Sequence, residues 1–256
     1  MVGKVEEYLL RRIQNEGAIH ITLIDPEKIT PKTAILTSNK SESCGSSAIM
    51  IGGTTLVSSN LLDNITKAVK SSVKIPVILF PNNITGISEH ADAIWFMSLL
   101  NSADPYFIAG AQVLAAPLIK KLGLEAIPLG YIIVGEGGSA GVIGKAWPIP
   151  YNKPELAVAH ALAAQFLGMR FVYLEAGSGV SQPVPVEMIK MVRKAVDIIL
   201  IVGGGIRSRE QAEKAVRAGA DIIVTGSIIE DSSEEEVKSK LAEIIEGIRE
   251  GAKSRL

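Results

Sequence analysis

Apolar residues in this chain are concentrated in eight short runs, each of which ends in polar or glycine-rich residues. Most runs are rich in isoleucine and valine. They are continuous rather than alternating, as expected of strands buried on both faces of a parallel sheet. The runs occupy residues 18–25, 48–53, 76–80, 93–100, 127–134, 171–177, 198–205 and 221–227. The pattern therefore predicts eight parallel strands.

Amphipathic segments with helical periodicity separate most of these runs. Residues 208–220 carry acids early, bases late and a glycine stop, which suits the helix dipole and a C-terminal cap. Other helices are predicted over residues 5–17, 61–72, 154–168, 185–196 and 234–253. Strands alternating with helices over 256 residues predict a single TIM (β/α)8 barrel domain, residues 1–256. An open doubly wound sheet is the rival fold, but no Gly-x-Gly-x-x-Gly turn follows the first run.

The connection between the third and fourth runs is unusually short. Only residues 81–92, PNNITGISEHAD, separate them. A complete crossover between parallel strands normally takes at least about 10–12 residues, so this connection has room for little more than a stub of helix. We therefore expect a modified barrel whose third helix is reduced or missing.

Composition and charge narrow the class of protein. Hydrophobic residues make up 47% of the chain, enough for a substantial core, and a formal net charge of −1 gives no electrostatic footprint for nucleic acid. The longest apolar stretch, 105–119, is shorter than the roughly 20 residues that cross a bilayer. The first residues lack an apolar signal core, and a single cysteine, Cys44, excludes an internal disulfide framework. These features favour a cytoplasmic protein.

The seventh and eighth runs end in the glycine-containing segments GGGIRS (203–208) and TGS (225–227). In a TIM barrel, active sites lie at the C-terminal ends of the strands, and the loops after strands seven and eight commonly bind phosphate. Glycines there allow backbone N–H groups to approach an anion. The alternative is that they only form tight turns. The pattern favours a phosphorylated substrate.

Two acidic residues at run ends are candidates for chemistry. Strand alternation places Tyr173 and Glu175 on one face, and a carboxylate facing the barrel interior could orient or deprotonate a hydroxyl. Alternatively, Glu175 is a buried acid paired with a lysine or arginine. Asp25 could hold Mg²⁺, or it could cap a helix that begins at Pro26. A threonine of GGTT (52–55), where the second run ends, could likewise assist a metal or diphosphate, or only cap a helix.

The three histidines do not form a metal-binding set, and each is expected to be packed or solvated. His20 falls within the first predicted strand. Lys145, in a glycine-rich segment, is a weaker candidate for contacting phosphate.

Six motifs in order along nearly the whole chain resemble the geranylgeranylglyceryl phosphate synthase family: HITLIDPEK, ADAIWFMSLLN, PLGYIIV, YLEAGSG, VGGGIRS and VTGSIIE. The resemblance implies a modified TIM barrel without its third helix. It also implies a prenyltransferase of archaeal ether-lipid synthesis that joins sn-glycerol 1-phosphate to geranylgeranyl diphosphate and releases diphosphate with the help of Mg²⁺. Bacterial relatives use a longer prenyl diphosphate.

The same resemblance implies roles for individual residues. Asp25 and Thr54 would bind Mg²⁺, Glu175 would hold or deprotonate the attacking hydroxyl, and Trp95 and Tyr131 would lie near the prenyl path. The residues implied to contact glycerol phosphate are Tyr173, Leu174, Glu175, Ala176, Gly177, Ser178, Gly179, Gly204, Gly205, Gly226 and Ser227.

Two segments depart from the family pattern, FPNN (80–83) and GEGGSAG (135–141), and they could alter the groove or the preferred chain length. The apolar stretch 105–119 could line a prenyl groove, form a core helix or form a subunit interface. We favour the interface, which predicts a homo-oligomer. A lipid product also implies transient contact with a membrane surface.

Three alternatives remain open at this stage. The chain could be another phosphate-binding TIM-barrel enzyme, such as an isomerase or a synthase of amino-acid biosynthesis. It could be a relative that uses another prenyl length. It could also be a non-catalytic phosphate- or lipid-binding module, although that would leave Asp25 and Thr54 unexplained.

Overall fold

A computed structural model of the protein describes residues 2–55, 58–226 and 234–255. Its strands are β1 (Ile19–Ile24), β2 (Ala48–Ile51), β3 (Val77–Leu79), β4 (Ala93–Leu99), β5 (Glu125–Ile133), β6 (Phe171–Glu175), β7 (Ile199–Gly203) and β8 (Ile222–Thr225). All of them are parallel and pair in sequence order, and β1 pairs with β8 to close the barrel. Seven of the predicted runs contain one of these strands, and the run 127–134 overlaps β5, which begins two residues earlier, so the predicted TIM barrel is confirmed.

Helices cover the outside of the barrel. They are α1 (Lys4–Glu16), α2 (Pro31–Cys44), α3 (Ser59–Ser72), α4 (Ala111–Leu122), α5 (Gly138–Ile143), α6 (Pro154–Phe166), α7 (Val186–Ala195), α8 (Arg209–Arg217) and α9 (Glu234–Lys253). Residues 80–92, between β3 and β4, are all described and contain no helix, as the short connection predicts. No helix in the described ranges is long and apolar enough to cross a bilayer.

Three of the helices, α2, α4 and α5, were not predicted from periodicity, although the apolar stretch 105–119, which overlaps α4, was considered as a core helix. Helix α2 buries Thr37, Ser38 and Ser41, so its inward face is polar and lacks an apolar stripe. Its Thr30 N-cap, Pro31 at the first position and left-handed Gly45 after the last turn are nevertheless clear boundary signals. Helix α5 has only six residues, too few to show a period.

The N-terminal end of the barrel is closed by α1. Leu9 packs fully buried among the interior side chains of the strands. The Glu125 carboxylate, at the start of β5, accepts hydrogen bonds from the Val5 and Glu6 N–H groups, both at 2.8 Å. Since the first N–H groups of a helix have no partner within it, Glu125 caps α1 and fixes it to the barrel. The opposite end, where the strands finish, is left for the functional site.

Candidate active site

A cavity of about 260 Å³ opens at the C-terminal ends of the strands. It continues past the rim onto the outer side of β4, where Ile94 and Phe96 line it together with Ala115 and Ile119 of α4. This outer branch lies where the helix between β3 and β4 is missing. The cavity therefore has a polar mouth and an apolar branch that leaves the barrel sideways.

Glu175 stands at the mouth as a buried carboxylate, 7% exposed. Its Oε1 accepts a 2.6 Å hydrogen bond from the Gly177 N–H, and the Tyr173 hydroxyl donates a second hydrogen bond. Burial raises the pKa of the Glu175 carboxyl above its ordinary value, while the two hydrogen bonds act in the opposite direction. No lysine or arginine of the described chain forms an ion pair with it. The alternative of a charge-paired structural glutamate is therefore not what the structure shows.

Three aromatic rings lie beside this carboxylate. The Phe80, Tyr131 and Tyr173 ring centroids are 5.3–5.9 Å apart, and all three residues line the cavity. Burial, followed by the nearby Glu175 charge, raises the pKa values of both tyrosines well above 10, so they are neutral hydrogen-bonding groups at physiological pH. Strand alternation predicts that Tyr173 and Glu175 share one face, and in the structure this face is the barrel interior.

The loops after β6 and β7 meet beside Glu175. Gly204 and Gly205 have left-handed backbones, with φ values of 80° and 71°. A Cβ at Gly204 would lie 2.5 Å from Glu175 Oε1 and 2.6 Å from the Gly177 nitrogen, so only glycine allows this approach. Gly226 lines the cavity next to them, at the end of β8. Ser227 lies outside the described residues.

The predicted glycerol phosphate segment 173–179 divides into residues that face the cavity and residues that do not. Ser178 lines the cavity along with Tyr173 and Glu175. The structure does not bring the Leu174 and Ala176 side chains to the site, because alternation along β6 turns them into the core beneath the helices. The two remaining positions, Gly177 and Gly179, have left-handed φ values of 112° and 79° and shape the turn.

Asp25 and Thr54 both line the mouth across from these loops. Asp25 Oδ1 accepts a 3.0 Å hydrogen bond from the Glu27 N–H and so caps a short 3-10 turn, Pro26–Lys28. Asp25 therefore has the predicted capping role and also lines the cavity. Its Oδ2 lies 3.9 Å from Lys28 Nζ. The described residues contain no cluster of three or more acidic, histidine or cysteine side chains that could hold a metal without further ligands.

One carboxylate with a threonine nevertheless suits Mg²⁺. This ion usually keeps several waters and binds through one or two carboxylates together with substrate phosphates. Asp25 and Thr54 can supply that share of the ligands if a diphosphate supplies the rest. The donor set fits a substrate-bridged Mg²⁺.

Trp95 lies deeper than the apolar branch of the cavity. Its ring packs in the barrel interior against Phe171, with centroids 5.1 Å apart, and it lines the cavity from below. The outward-facing neighbours of Trp95 line the branch instead. Sequence reasoning missed those neighbours, because outward positions on a strand normally contact a helix.

Arg207 is a second residue that the sequence reasoning did not single out. It lines the mouth immediately after the glycine turn of β7, and it forms no ion pair with the acids that the structure describes. The GGGIRS motif contains this cation, but spacing alone gave no reason to separate it from a surface arginine. Lys145, in contrast, pairs with Asp104 at 2.8 Å and does not line the cavity.

The two segments that depart from the family pattern both contact the site. Phe80 begins the FPNN segment, and the Asn82 side-chain amide donates a 3.1 Å hydrogen bond to the Thr54 carbonyl. The GEGGSAG segment forms the start of α5, and its Ser139 and Ala140 line the cavity. Each segment therefore forms part of the cavity wall.

The apolar stretch 105–119 has two different faces. One face of α4 lines the cavity through residues that include Ala111 and Gln112. The other leaves Val113 71% exposed and Leu114 60% exposed. Within one chain the stretch is thus not a fully buried core helix.

Comparisons with known proteins agree with this geometry. Residues 11–247 match the PcrB family. A geranylgeranylglyceryl phosphate synthase from Thermofilum pendens is 51% identical over 255 residues, 100% of this chain and 99% of the relative. One from Methanothermobacter marburgensis is 53% identical over 245 residues, 96% of this chain and 98% of the relative.

A solved structure is also closely similar. The (S)-3-O-geranylgeranylglyceryl phosphate synthase from Thermoplasma acidophilum, crystallised with its substrate sn-glycerol-1-phosphate, has a TM-score of 0.92 and 40% identity to this chain. The match covers 98% of this chain and 100% of that one. The family resemblance predicted from the motifs is confirmed. The chain belongs to the PcrB family, together with the geranylgeranylglyceryl phosphate synthases that it matches over its whole length.

Proposed function

We propose that this protein is a geranylgeranylglyceryl phosphate synthase. It transfers the geranylgeranyl group from geranylgeranyl diphosphate to the 3-hydroxyl of sn-glycerol 1-phosphate, forms the first ether bond of archaeal membrane lipids and releases diphosphate. The observation that carries the proposal is the buried Glu175 carboxylate, without a cationic partner in the described chain, beside the glycine loops of β6 and β7. The full-length similarity to synthases of this name supports the same conclusion.

The glycine loops form the acceptor side of the proposed site. Gly204, Gly205 and Gly226 present backbone at the strand ends where TIM barrels commonly bind phosphate. Phosphate held there leaves the glycerol hydroxyl within the mouth, next to Glu175. The crystallised relative that carries sn-glycerol-1-phosphate supports this acceptor.

The reaction requires one proton to leave the acceptor hydroxyl. The hydroxyl oxygen bonds to C1 of the prenyl group, the bond from C1 to the diphosphate oxygen breaks, and its electron pair leaves with diphosphate. Glu175 accepts the hydroxyl proton, and its raised pKa makes it a better base than an exposed carboxylate. Tyr173 and Gly177 hold the carboxylate in place.

The donor side joins the polar mouth to the apolar branch. Asp25 and Thr54 would hold Mg²⁺ against the diphosphate, where the ion would neutralise charge on the leaving group. Lys28 and Arg207 add positive charge at the same rim. The faces of Phe80 and Tyr131 can stabilise positive charge that develops at the allylic carbon. The prenyl chain would follow Ile94, Phe96 and Ile119 out of the barrel.

We also propose that the protein is a cytoplasmic homo-oligomer that meets membranes through its lipid product. The exposed apolar face of α4, which includes Val113 and Leu114, supports a contact with a second copy of the chain. It lies on the helix whose other face lines the apolar branch, so a second copy would also rigidify that wall.

The function is tested by incubating the purified protein with labelled geranylgeranyl diphosphate, sn-glycerol 1-phosphate and Mg²⁺. We expect the label in a phosphate-bearing lipid, no transfer in EDTA, and recovery when Mg²⁺ is added back. A ladder of prenyl diphosphates then gives the preferred chain length. Binding of both substrates without transfer would favour the non-catalytic module and contradict the proposal.

A further inference from the structure

A chain of buried polar side chains runs along the outer face of β1 and β8 and reaches the site at Thr225, which lines the cavity. His20 Nδ1 lies 2.8 Å from Ser46 Oγ, and His20 Nε2 lies 2.9 Å from Thr225 Oγ1. Ser46 Oγ also lies 3.0 Å from Thr22 Oγ1. Each of these four residues is at least 96% buried. The proposed reaction uses none of these contacts.

Aliphatic residues occupy comparable outward positions on the neighbouring strands, such as Ile49 on β2 and Ile223 on β8. Burying polar groups gives little net stability even when each is hydrogen-bonded, and it is costly when one is not. What such a network adds over aliphatic packing is a defined geometry.

The two ends of the His20 ring contact parts of the fold with different roles. On the Nδ1 side, Ser46 belongs to the turn after α2, and its N–H donates a 2.9 Å hydrogen bond to the Ser41 carbonyl. This hydrogen bond fixes the position of Ser46 relative to α2. On the Nε2 side, Thr225 is the last residue of β8 and precedes Gly226, which lines the mouth. The ring thus connects a fixed turn to the point where β8 leaves the barrel.

We infer that His20 is a positioning residue for the acceptor site, holding the Thr225 side chain so that Gly226 is set to receive the phosphate of the acceptor. The inference rests on the proposed function for the identity of that anion. It assigns His20 no contact with substrate.

The protonation state of His20 suits this role. Burial lowers the pKa of His20 to about 3, so the ring is neutral at physiological pH and has one N–H donor and one acceptor nitrogen. Its side-chain partners, Ser46 and Thr225, are hydroxyls that can each donate or accept, and neither these nor Thr22 is charged. A neutral ring can therefore satisfy both partners together.

Two amide substitutions separate the two ends of the ring. In H20Q the side-chain amide reaches the position of Nε2 and can still bond Thr225, whereas in H20N it reaches only the position of Nδ1 and Ser46. The readouts are the calorimetric Kd for sn-glycerol 1-phosphate, the KM values for both substrates, and Tm. Thr225→Val removes the partner hydroxyl while keeping a β-branched shape. Ser38→Ala removes a buried hydrogen bond within α2 as a matched control.

We expect H20N and Thr225→Val to weaken glycerol phosphate binding about fivefold, the effect of one lost hydrogen bond, and H20Q to stay within about twofold of the wild type. The KM for prenyl diphosphate should be unchanged in all three variants. Ser38→Ala should lower Tm without changing the Kd. Equal Kd values for H20Q and H20N, or Kd values that follow Tm across all variants, would overturn the inference.

Failure of the proposed function gives a different result. A wild-type protein that binds glycerol phosphate without transferring a prenyl group contradicts the function, and the Kd comparison still decides the role of His20. A wild-type protein that does not bind glycerol phosphate overturns both.

Discussion

At the scale of single residues, Glu175 is the proposed proton acceptor, and its burial disfavours the charged form that this role requires. We expect Glu175→Gln to keep the hydrogen bond from the Gly177 N–H, because an amide oxygen can replace the carboxylate oxygen. It removes the proton acceptor, so turnover should fall by about 10²–10⁴-fold with a much smaller change in glycerol phosphate affinity. Steady-state kinetics at saturating substrate measure this. An unchanged kcat would remove the catalytic role.

The raised pKa of Glu175 also predicts how stability depends on pH. A carboxyl whose pKa is higher in the folded protein than in the unfolded chain stabilises the fold while protonated, and that contribution is lost as pH rises through the folded-state pKa. Glu175→Gln lacks this loss. Its Tm should therefore exceed that of the wild type at neutral pH, and the gap should close in acid. A Tm difference of the same size at neutral and at acidic pH would show that ionisation of Glu175 is not the cause.

The contribution of His20 to stability depends on pH in the opposite direction. Because burial lowers its pKa to about 3, the unfolded chain takes up a proton first as pH falls below about 6.5. Stability should then decrease by about 1 kcal/mol per pH unit between these limits from this group alone. H20Q should show a shallower slope, measured by urea unfolding between about pH 4 and 7. Parallel slopes for the two proteins would contradict the assignment.

Single residues also show which features of the site can be predicted from the sequence. Alternation correctly put Tyr173 and Glu175 on one face, because a period of two is a property of any strand, but it did not say that this face is the interior one. The same rule turns Leu174 and Ala176 away. The network of His20 could not be predicted, since Thr225 lies 205 positions along the chain and joins it only through barrel closure.

At the scale of elements, α4 separates two apolar environments. One face lines the cavity branch, and the other leaves Val113 and Leu114 exposed. We expect Leu114→Glu to shift the protein towards smaller species in light scattering, because a charge would be buried against a second copy. Lys194→Glu on α7 is the control for a surface charge change and should leave the mass unchanged. A monomeric wild type at micromolar concentration would contradict the interface.

The connection 80–92 shows what an element-level argument can and cannot predict. Its length alone indicated that no complete helix fits, because a crossover needs a minimum span. The consequence for β4 did not follow from length. Ile94 and Phe96 resemble any outward-facing strand residues, and they line the cavity branch only because the helix that would cover them is absent.

At the scale of the whole molecule, a buried carboxylate at the N-terminal ends of the strands joins elements that are distant in the sequence. Asp221, just before β8, forms 2.9 Å ion pairs with Arg193 of α7 and with Arg255, beyond α9. It also accepts a 2.9 Å hydrogen bond from the Leu200 N–H. One buried carboxylate thus connects α7, β7 and the C-terminal segment.

Removing this carboxylate should destabilise the entire barrel. We expect Asp221→Ala to lower the free energy of unfolding by about 3 kcal/mol, since breaking a buried pair leaves its partners uncompensated. Denaturant unfolding measures it. Glu210→Ala breaks an exposed pair with Lys214 and should leave the stability nearly unchanged. Similar losses in both variants would show that burial is not what makes Asp221 important.

The open flank beside β4 has a consequence for how such a barrel can diversify. Strands β3 and β4 keep only two paired positions, Ile78 with Ala93 and Leu79 with Ile94, yet these suffice to complete the hydrogen-bonded ring. The barrel of strands can therefore close without a helix covering every strand. Exchanging residues 84–92 between relatives should change which hydrocarbon is accommodated, while Phe80 and Asn82, which contact the reacting site, and the anion-binding loops on the far side of the ring keep their chemistry.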